Sequence, residues 1–355
     1  MSTVSRMAGV FGLLSFSLSS VLSAADLAAK AEPENTGWAF YMDNDLFVPG
    51  HRDRDYTGGF SLTRSGSAMR DNALSMEPVR AWVHTLVGAD HFYRDMVSTR
   101  HSQEFGITTF TPADLTSVSA QQGDRPYANL VYMSQSRAQI DHQTDTAYLS
   151  TLTVGVLGLD VIGDLQIDLH KSLGSTEPKG WENQISAGGE PTFRYSIART
   201  QRIAQSEFAG GTSETSMALR ASVGYLTQLT FGVATRFGEI QSPWWSYNPQ
   251  LADYAEKTVP VAAIEGSNEQ YFWAGFSLHL RAYNAFLQGQ FRDSAVTFSA
   301  SELEPVVGEA WVGYTIACKT GWRYSYVVRA MSSEIKEGPG DRSVMWGGLT
   351  ISQAF

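Results

Sequence analysis

The chain reads as an all-β protein: a transmembrane antiparallel β-barrel of about twelve strands, with a short helix on one extracellular loop. Three observations predict this. Apolar and polar residues alternate with a period of two from Trp38 to the C-terminus, the mark of strands with two unlike faces. Many of these runs are about 10 to 15 residues long, the length a tilted membrane-spanning strand needs. Only 17% of the 355 residues are charged, against about a quarter in an ordinary soluble chain.

Composition removes several alternatives. With 18 Phe, 15 Tyr and 9 Trp the chain is far too aromatic to stay unfolded. Past the N-terminus no uncharged apolar run reaches about 18 residues, so a bundle of membrane helices is excluded. The net charge of −10 argues against nucleic acid as a partner. Cys318 is the single cysteine, so no internal disulfide forms.

Taken in order, the chain opens with a targeting segment. Arg6 is the only charge before Asp26, Val10 to Leu22 is apolar, and Ser23-Ala24-Ala25 offers small residues for cleavage. This is the order of a secretory signal peptide, so residues 1–25 are expected to be removed and 26–355 to form a single barrel domain.

Strand candidates follow near 38–47, 57–66, 102–111, 127–140, 146–158, 190–204, 216–226, 229–238, 271–283, 286–298, 306–317, 322–333 and 343–355. That is an odd number, whereas bacterial barrels are even. The weakest run is 286–298, where Gln288, Gly289, Gln290, Arg292 and Asp293 break the alternation. Reading it as loop leaves twelve. Arg220, Arg236, Arg281, Arg323 and Arg329 fall on polar faces and so are expected to line a lumen. The last strand stops on Phe355, as in barrels assembled in the bacterial outer membrane. With both termini periplasmic, the outward loops are about 48–56, 112–126, 159–189, near 227, 284–305 and 334–342. In the inward segment 67–101, Val79, Trp82, Val83 and Leu86 have helical spacing and predict a small periplasmic helix.

Two outward loops carry unusual polar residues. Asp43-Asn44-Asp45 ends the first strand, and His51-Arg52-Asp53-Arg54-Asp55 follows. Such a hard-oxygen cluster suits calcium, although acidic extracellular loops show the same composition without a dedicated site. Asn44 and Asp45 serve one site only if the strand bulges or ends there, since neighbours on a strand face opposite ways. Thr57 shares a face with Gly59, Ser61 and Thr63 and is expected on the polar side near the outer rim. In the third loop, apolar residues at 162, 165, 169 and 173 predict a helix capped by Gly174. It carries His170 near Gln166, either as a base or as an ordinary surface histidine of a lid. Gly180-Trp181-Glu182-Asn183-Gln184 is expected to anchor that lid at the membrane surface.

No Gly-x-Ser-x-Gly elbow, His-Glu-x-x-His motif or cysteine pair is present. A charged rim with one histidine and a calcium-type oxygen cluster leaves ester hydrolysis as the economical chemistry. The ion stabilises an oxyanion and a neutral imidazole takes a proton from water.

These residues also form an ordered set. Asn44-Asp45-x-Phe47, Asp53-Arg54-Asp55-Tyr56-Thr57-x-Gly59, Phe110-Thr111-Pro112, Gly123-Asp124-Arg125-Pro126-Tyr127-Ala128, and Gly155-x-x-Gly158 through His170 to Gly180-Trp181-x-x-Gln184 follow one another between residues 44 and 184. In order and spacing the set resembles the outer-membrane lipid A 3′-O-deacylase family. The resemblance implies a twelve-stranded barrel whose site lies between the outer wall and a loop helix. It implies calcium-dependent removal of the 3′-linked acyloxyacyl group of lipid A. On this resemblance Asp45 binds calcium (Ca2+), His170 is the general base, and Asn44 and Thr57 support the ion or the substrate. Asn44 is thus a candidate both as catalytic residue and as metal ligand.

A lysine that some family members use in the second outward loop has no match in Ala113-Asp114-Leu115-Thr116-Ser117. Arg125, Lys171 or Lys179 is the expected source of charge for the anionic headgroup. The expected partners are lipid A and the outer membrane, and the barrel is expected as a monomer. An outer-membrane phospholipase and a non-catalytic channel or adhesin barrel are the competing readings.

Overall fold

The computed structural model describes residues 32–50, 53–89, 98–257 and 268–355. The expected signal peptide, His51 and Arg52 lie outside the described residues. The strands are β1 (Gly37–Asn44), β2 (Asp55–Ser65), β3 (Ser98–Thr111), β4 (Ala128–Asp141), β5 (Thr146–Leu157), β6 (Glu190–Phe208), β7 (Gly211–Gly224), β8 (Leu226–Glu239), β9 (Glu269–Asn284), β10 (Val306–Ala317), β11 (Trp322–Met331) and β12 (Val344–Ala354). Each pairs antiparallel with its sequence neighbours, and β1 pairs with β12 to close the barrel. Closure leaves no strand edge, as a hydrocarbon setting demands. Residues 286–298 are not a strand, in keeping with the even count: Ala285–Gln288 is one helical turn within a loop.

The alternation sorts as expected. On β9, Phe272, Phe276, Leu278 and Leu280 are exposed on the outer wall while Ser277 and His279 are buried inside. On β10, Val312 and Ile316 face out, and Glu309 and Trp311 face in. A charge on the lipid face costs about 2–4 kcal/mol at mid-membrane, and the five arginines expected in the lumen point inside. Each then finds a carboxylate: Arg220 with Asp253, Arg236 with Glu214, Arg281 with Glu334, Arg323 with Glu269, and Arg329 with Glu309.

The lumen also holds part of the β8–β9 connection. Its Asp253 accepts from Arg194, Arg220 and Gln228, and its Lys257 meets Asp43 at 2.6 Å. Tyr254 packs among Tyr56, Phe110 and Trp346. This inner segment props the base of the turn between β1 and β2.

Two helices matter for position. The helix α1 (Glu77–Leu86) forms where the apolar spacing predicts it, but it lies against the barrel wall. Arg80 donates to Ser150 of β5 at 2.5 Å and His84 meets Tyr195 of β6 at 2.6 Å. The helix α2 (Asp160–Leu173) covers the opposite end of the barrel, in the third outward loop. It ends at Gly174, whose φ of +68° is the left-handed cap that glycine adopts without strain.

Candidate active site

The turn after β1 is built by Asn44. Its Oδ1 accepts from the Leu46 amide at 2.7 Å and closes a 3-10 turn over Asp45–Phe47. Its Nδ2 donates to the Thr57 carbonyl at 2.5 Å, tying β1 to β2. The strand therefore ends at Asn44, and Asp45 escapes the alternation that would send it to the opposite face.

Asp45 is buried, at 3% exposure. Its Oδ2 accepts from the Arg54 amide at 2.7 Å, while Oδ1 is buried with no hydrogen-bond partner among the described residues. Burial pushes its carboxyl up to about 7, and the charges of Asp53 and Asp55 add to the rise. Asp53 and Asp55 adopt left-handed backbone, with φ of +44° and +69°, which folds the loop back over Asp45. Asp53 is raised as well, by burial, with His170 opposing the shift.

Thr57 departs from its expected face. Alternation puts it on the inner side, but β2 bulges against β3 between Tyr56 and Gly58. Tyr56 takes the inner face, with its ring against Phe110, and Thr57 becomes the extra residue. Thr57 is buried, and its Oγ1 lies 3.5 Å from Nε2 of Gln166 on α2.

The lid helix is fixed from behind. Gly163 admits the Trp181 ring, whose Cγ would lie 2.7 Å from a Cβ at that position. Trp181 Nε1 donates to Gln166 Oε1 at 3.0 Å, and its ring packs on Tyr127 at 4.9 Å. Asn129 of β4 donates to Gln184, and Gln184 donates to Asp160 at the start of the helix. The 180–184 stretch therefore anchors the lid to the barrel rim. Trp181 is buried there and does not sit at the membrane surface.

His170 lies one turn beyond Gln166 and is buried. Its Nδ1 is 2.6 Å from the Thr176 carbonyl. A carbonyl only accepts, so Nδ1 carries the proton and Nε2 of the neutral ring keeps a free lone pair. Asp53 Oδ2 is 3.8 Å from the same Nδ1.

Of the expected residues, the turn thus links Asn44 to Thr57, Thr57 reaches α2 through Gln166, and Asp53 brings the Asp45 loop to His170. Arg125 is not available to a headgroup: it is buried and paired with Asp55 and Glu334. Lys171 and Lys179 remain exposed on the lid loop, Lys171 at 4.0 Å from Glu177. Two contributors were missed. Gln166 was legible as the residue one helical turn from His170. Arg342 was not: it brackets Asp55 at 2.9 and 2.8 Å and reaches Asp124 at 2.6 Å from the far end of the chain.

The donor set fits a hard cation. Asp45 supplies an orphaned buried oxygen and Asp53 a second carboxylate, both disfavoured as anions without a counter-charge. Among the described residues no three Asp, Glu, His or Cys side chains converge. An ion here would have to draw also on carbonyls, the Asn44 oxygen and water, a mixed oxygen shell of the kind calcium accepts more readily than magnesium.

The family model of the outer membrane protein LpxR matches residues 13–355 of the chain. Among solved structures, LpxR from Salmonella typhimurium superposes with a TM-score of 0.69 at 18% identity, covering 90% of this chain and 100% of that one. The β domain of the Bordetella autotransporter BrkA reaches 0.40 at 10% identity, covering 91% of this chain and 100% of that one. No curated protein matches the sequence.

Proposed function

The chain belongs to the outer membrane protein LpxR family, and from that membership and the geometry of the outer rim we propose that it is a lipid A 3′-O-deacylase. The observation that carries the proposal is the pairing of an orphaned Asp45 carboxylate with a lidded His170 whose Nε2 is free to accept a proton. The first needs a cation and the second needs an acid, and ester hydrolysis by water uses both.

In this reading Asp45 and Asp53 would hold calcium, with Asn44 shaping the turn and offering an oxygen. The chemistry the ion would supply there is polarisation of the ester carbonyl and charge compensation for the oxyanion. His170 Nε2 takes a proton from the attacking water as general base. The Thr176 carbonyl keeps the ring in the tautomer that frees Nε2 and favours the imidazolium once it forms. Asp53, near the same Nδ1, adds negative charge that supports it. Thr57 and Gln166 hold the lid helix to β2, so the base and the cation site keep their spacing. Lys171 and Lys179, on the exposed face of the lid loop, remain to meet the substrate's phosphates.

The channel reading is disfavoured by the inner segment, which places Tyr254, Asp253 and Lys257 across the lumen. The test is expression in a host that lacks the enzyme, followed by mass spectrometry of lipid A and of glycerophospholipids. Loss of one acyloxyacyl group from lipid A is expected, and fatty acid released from phospholipid alone would assign the site to a phospholipase.

A further inference from the structure

The α1 helix is turned inside out. Its polar Arg80 and His84 face the barrel, while Val79, Trp82 and Leu86 point away at 52, 65 and 69% exposure. A helix covering a water-facing wall would do the reverse. The arrangement suits one lying on the outer wall with lipid around it. It is joined to the periplasmic ends of β2 and β3, so that lipid is the inner leaflet of the outer membrane.

Beside this helix runs an apolar groove of about 180 Å³, lined by His84, Tyr148, Ile197, Leu219, Ala221 and Leu229. Ala221 gives it depth between longer outward-facing neighbours. Arg199 stands in the same lining, exposed and facing outward between Tyr148 and Leu219 on the adjoining strands. Its hydrogen-bond partner is the neutral amide of Gln201 at 2.9 Å. Three residues on, Arg202 is matched by both Asp145 and Glu214. Arg199 therefore presents a positive charge at the periplasmic level of an apolar channel.

We propose that this groove binds one anionic glycerophospholipid of the inner leaflet. An acyl chain lies along Leu219, Ala221 and Leu229, and the phosphate meets the Arg199 guanidinium. Lipopolysaccharide, the substrate class proposed for the outer rim, does not occupy this site. The inference stands whether or not that activity is correct.

The experiment is native mass spectrometry of the full barrel released from detergent after incubation with phosphatidylglycerol or phosphatidylethanolamine. One phosphatidylglycerol adduct is expected to survive activation that strips the rest, at about tenfold higher occupancy than phosphatidylethanolamine. Ala221→Trp should remove the retained adduct with either lipid. Arg199→Gln, an exposed substitution that leaves the wall intact, should erase the preference for phosphatidylglycerol. Heat-modifiable gel mobility checks that each variant is folded. A graded ladder of adducts with no retained first lipid, or an unchanged preference in folded Arg199→Gln, overturns the proposal.

Discussion

At the scale of single residues, the Asp45 carboxyl and the His170 ring make separable demands. Asp45 is raised to about 7 against an ordinary value of 3.8. Between those pH values the folded protein holds a proton that the unfolded chain has released, so the buried acid is tolerated. Above about 7 the carboxylate is ionised, and on the proposed reading a cation would take the place of the proton. Calcium affinity should therefore rise with pH, by roughly tenfold per unit below about 7, and level off above it. Calorimetry in buffers of different ionisation enthalpy should register about one proton released per ion near pH 6. Asp45→Asn should flatten this dependence and leave the barrel folded. For His170, replacement by Ala should lower deacylation by roughly 10²–10⁴-fold with heat-modifiable mobility unchanged. A folded His170→Ala variant within a few-fold of the parent would move the search for the base to Asp53.

At the scale of elements, the lid works only if α2 is held at a fixed height above β2. Gly163 sets that height, because a methyl group there collides with the Trp181 ring. Gly163→Leu should push the helix from the rim and part Gln166 from Thr57. A displacement of about 1 Å costs roughly 10²-fold in rate when reacting groups must align. The loss should appear in kcat while the barrel's circular dichroism and thermal transition stay unchanged. Normal turnover by this variant would show that the lid adjusts and that Gly163 is only a packing residue. The α1 helix makes a different point at this scale. Its period was readable, yet period alone does not say which side meets protein, and here the polar side meets the barrel wall while the apolar side points away from it.

For the whole molecule, the closed barrel and its inner segment bear on whether the lumen conducts. Asp253 holds Arg194, Arg220 and Gln228 at once, so the part of the β8–β9 connection around it is bound inside the wall. The parent protein should show no steady conductance in a planar lipid bilayer. Asp253→Ala leaves two buried arginines short of a partner, a change that costs about 3–5 kcal/mol in a buried pair. It should loosen the segment and give intermittent conductance. Steady conductance by the parent would return the channel reading to first place.

The barrel, its twelve strands and the position of both helices were legible from the order of residues alone. These follow from local periodicity, a period of two or of 3.6, which survives without knowledge of contacts. The local pattern offered Asn44, Asp45, Thr57 and His170 as candidates, and the roles expected of them came from the ordered resemblance to a family. Only the tertiary structure decided how they meet. The bulge at Thr57 shifts every inward residue before it by one, and no composition rule marks where a bulge falls. Arg125 looked free for a headgroup, but Asp55 and Glu334 claim it inside the rim. Arg342 reaches Asp55 only because β12 closes on β1. Contacts between residues hundreds of positions apart are set by closure of the barrel, and closure is a property of all twelve strands together.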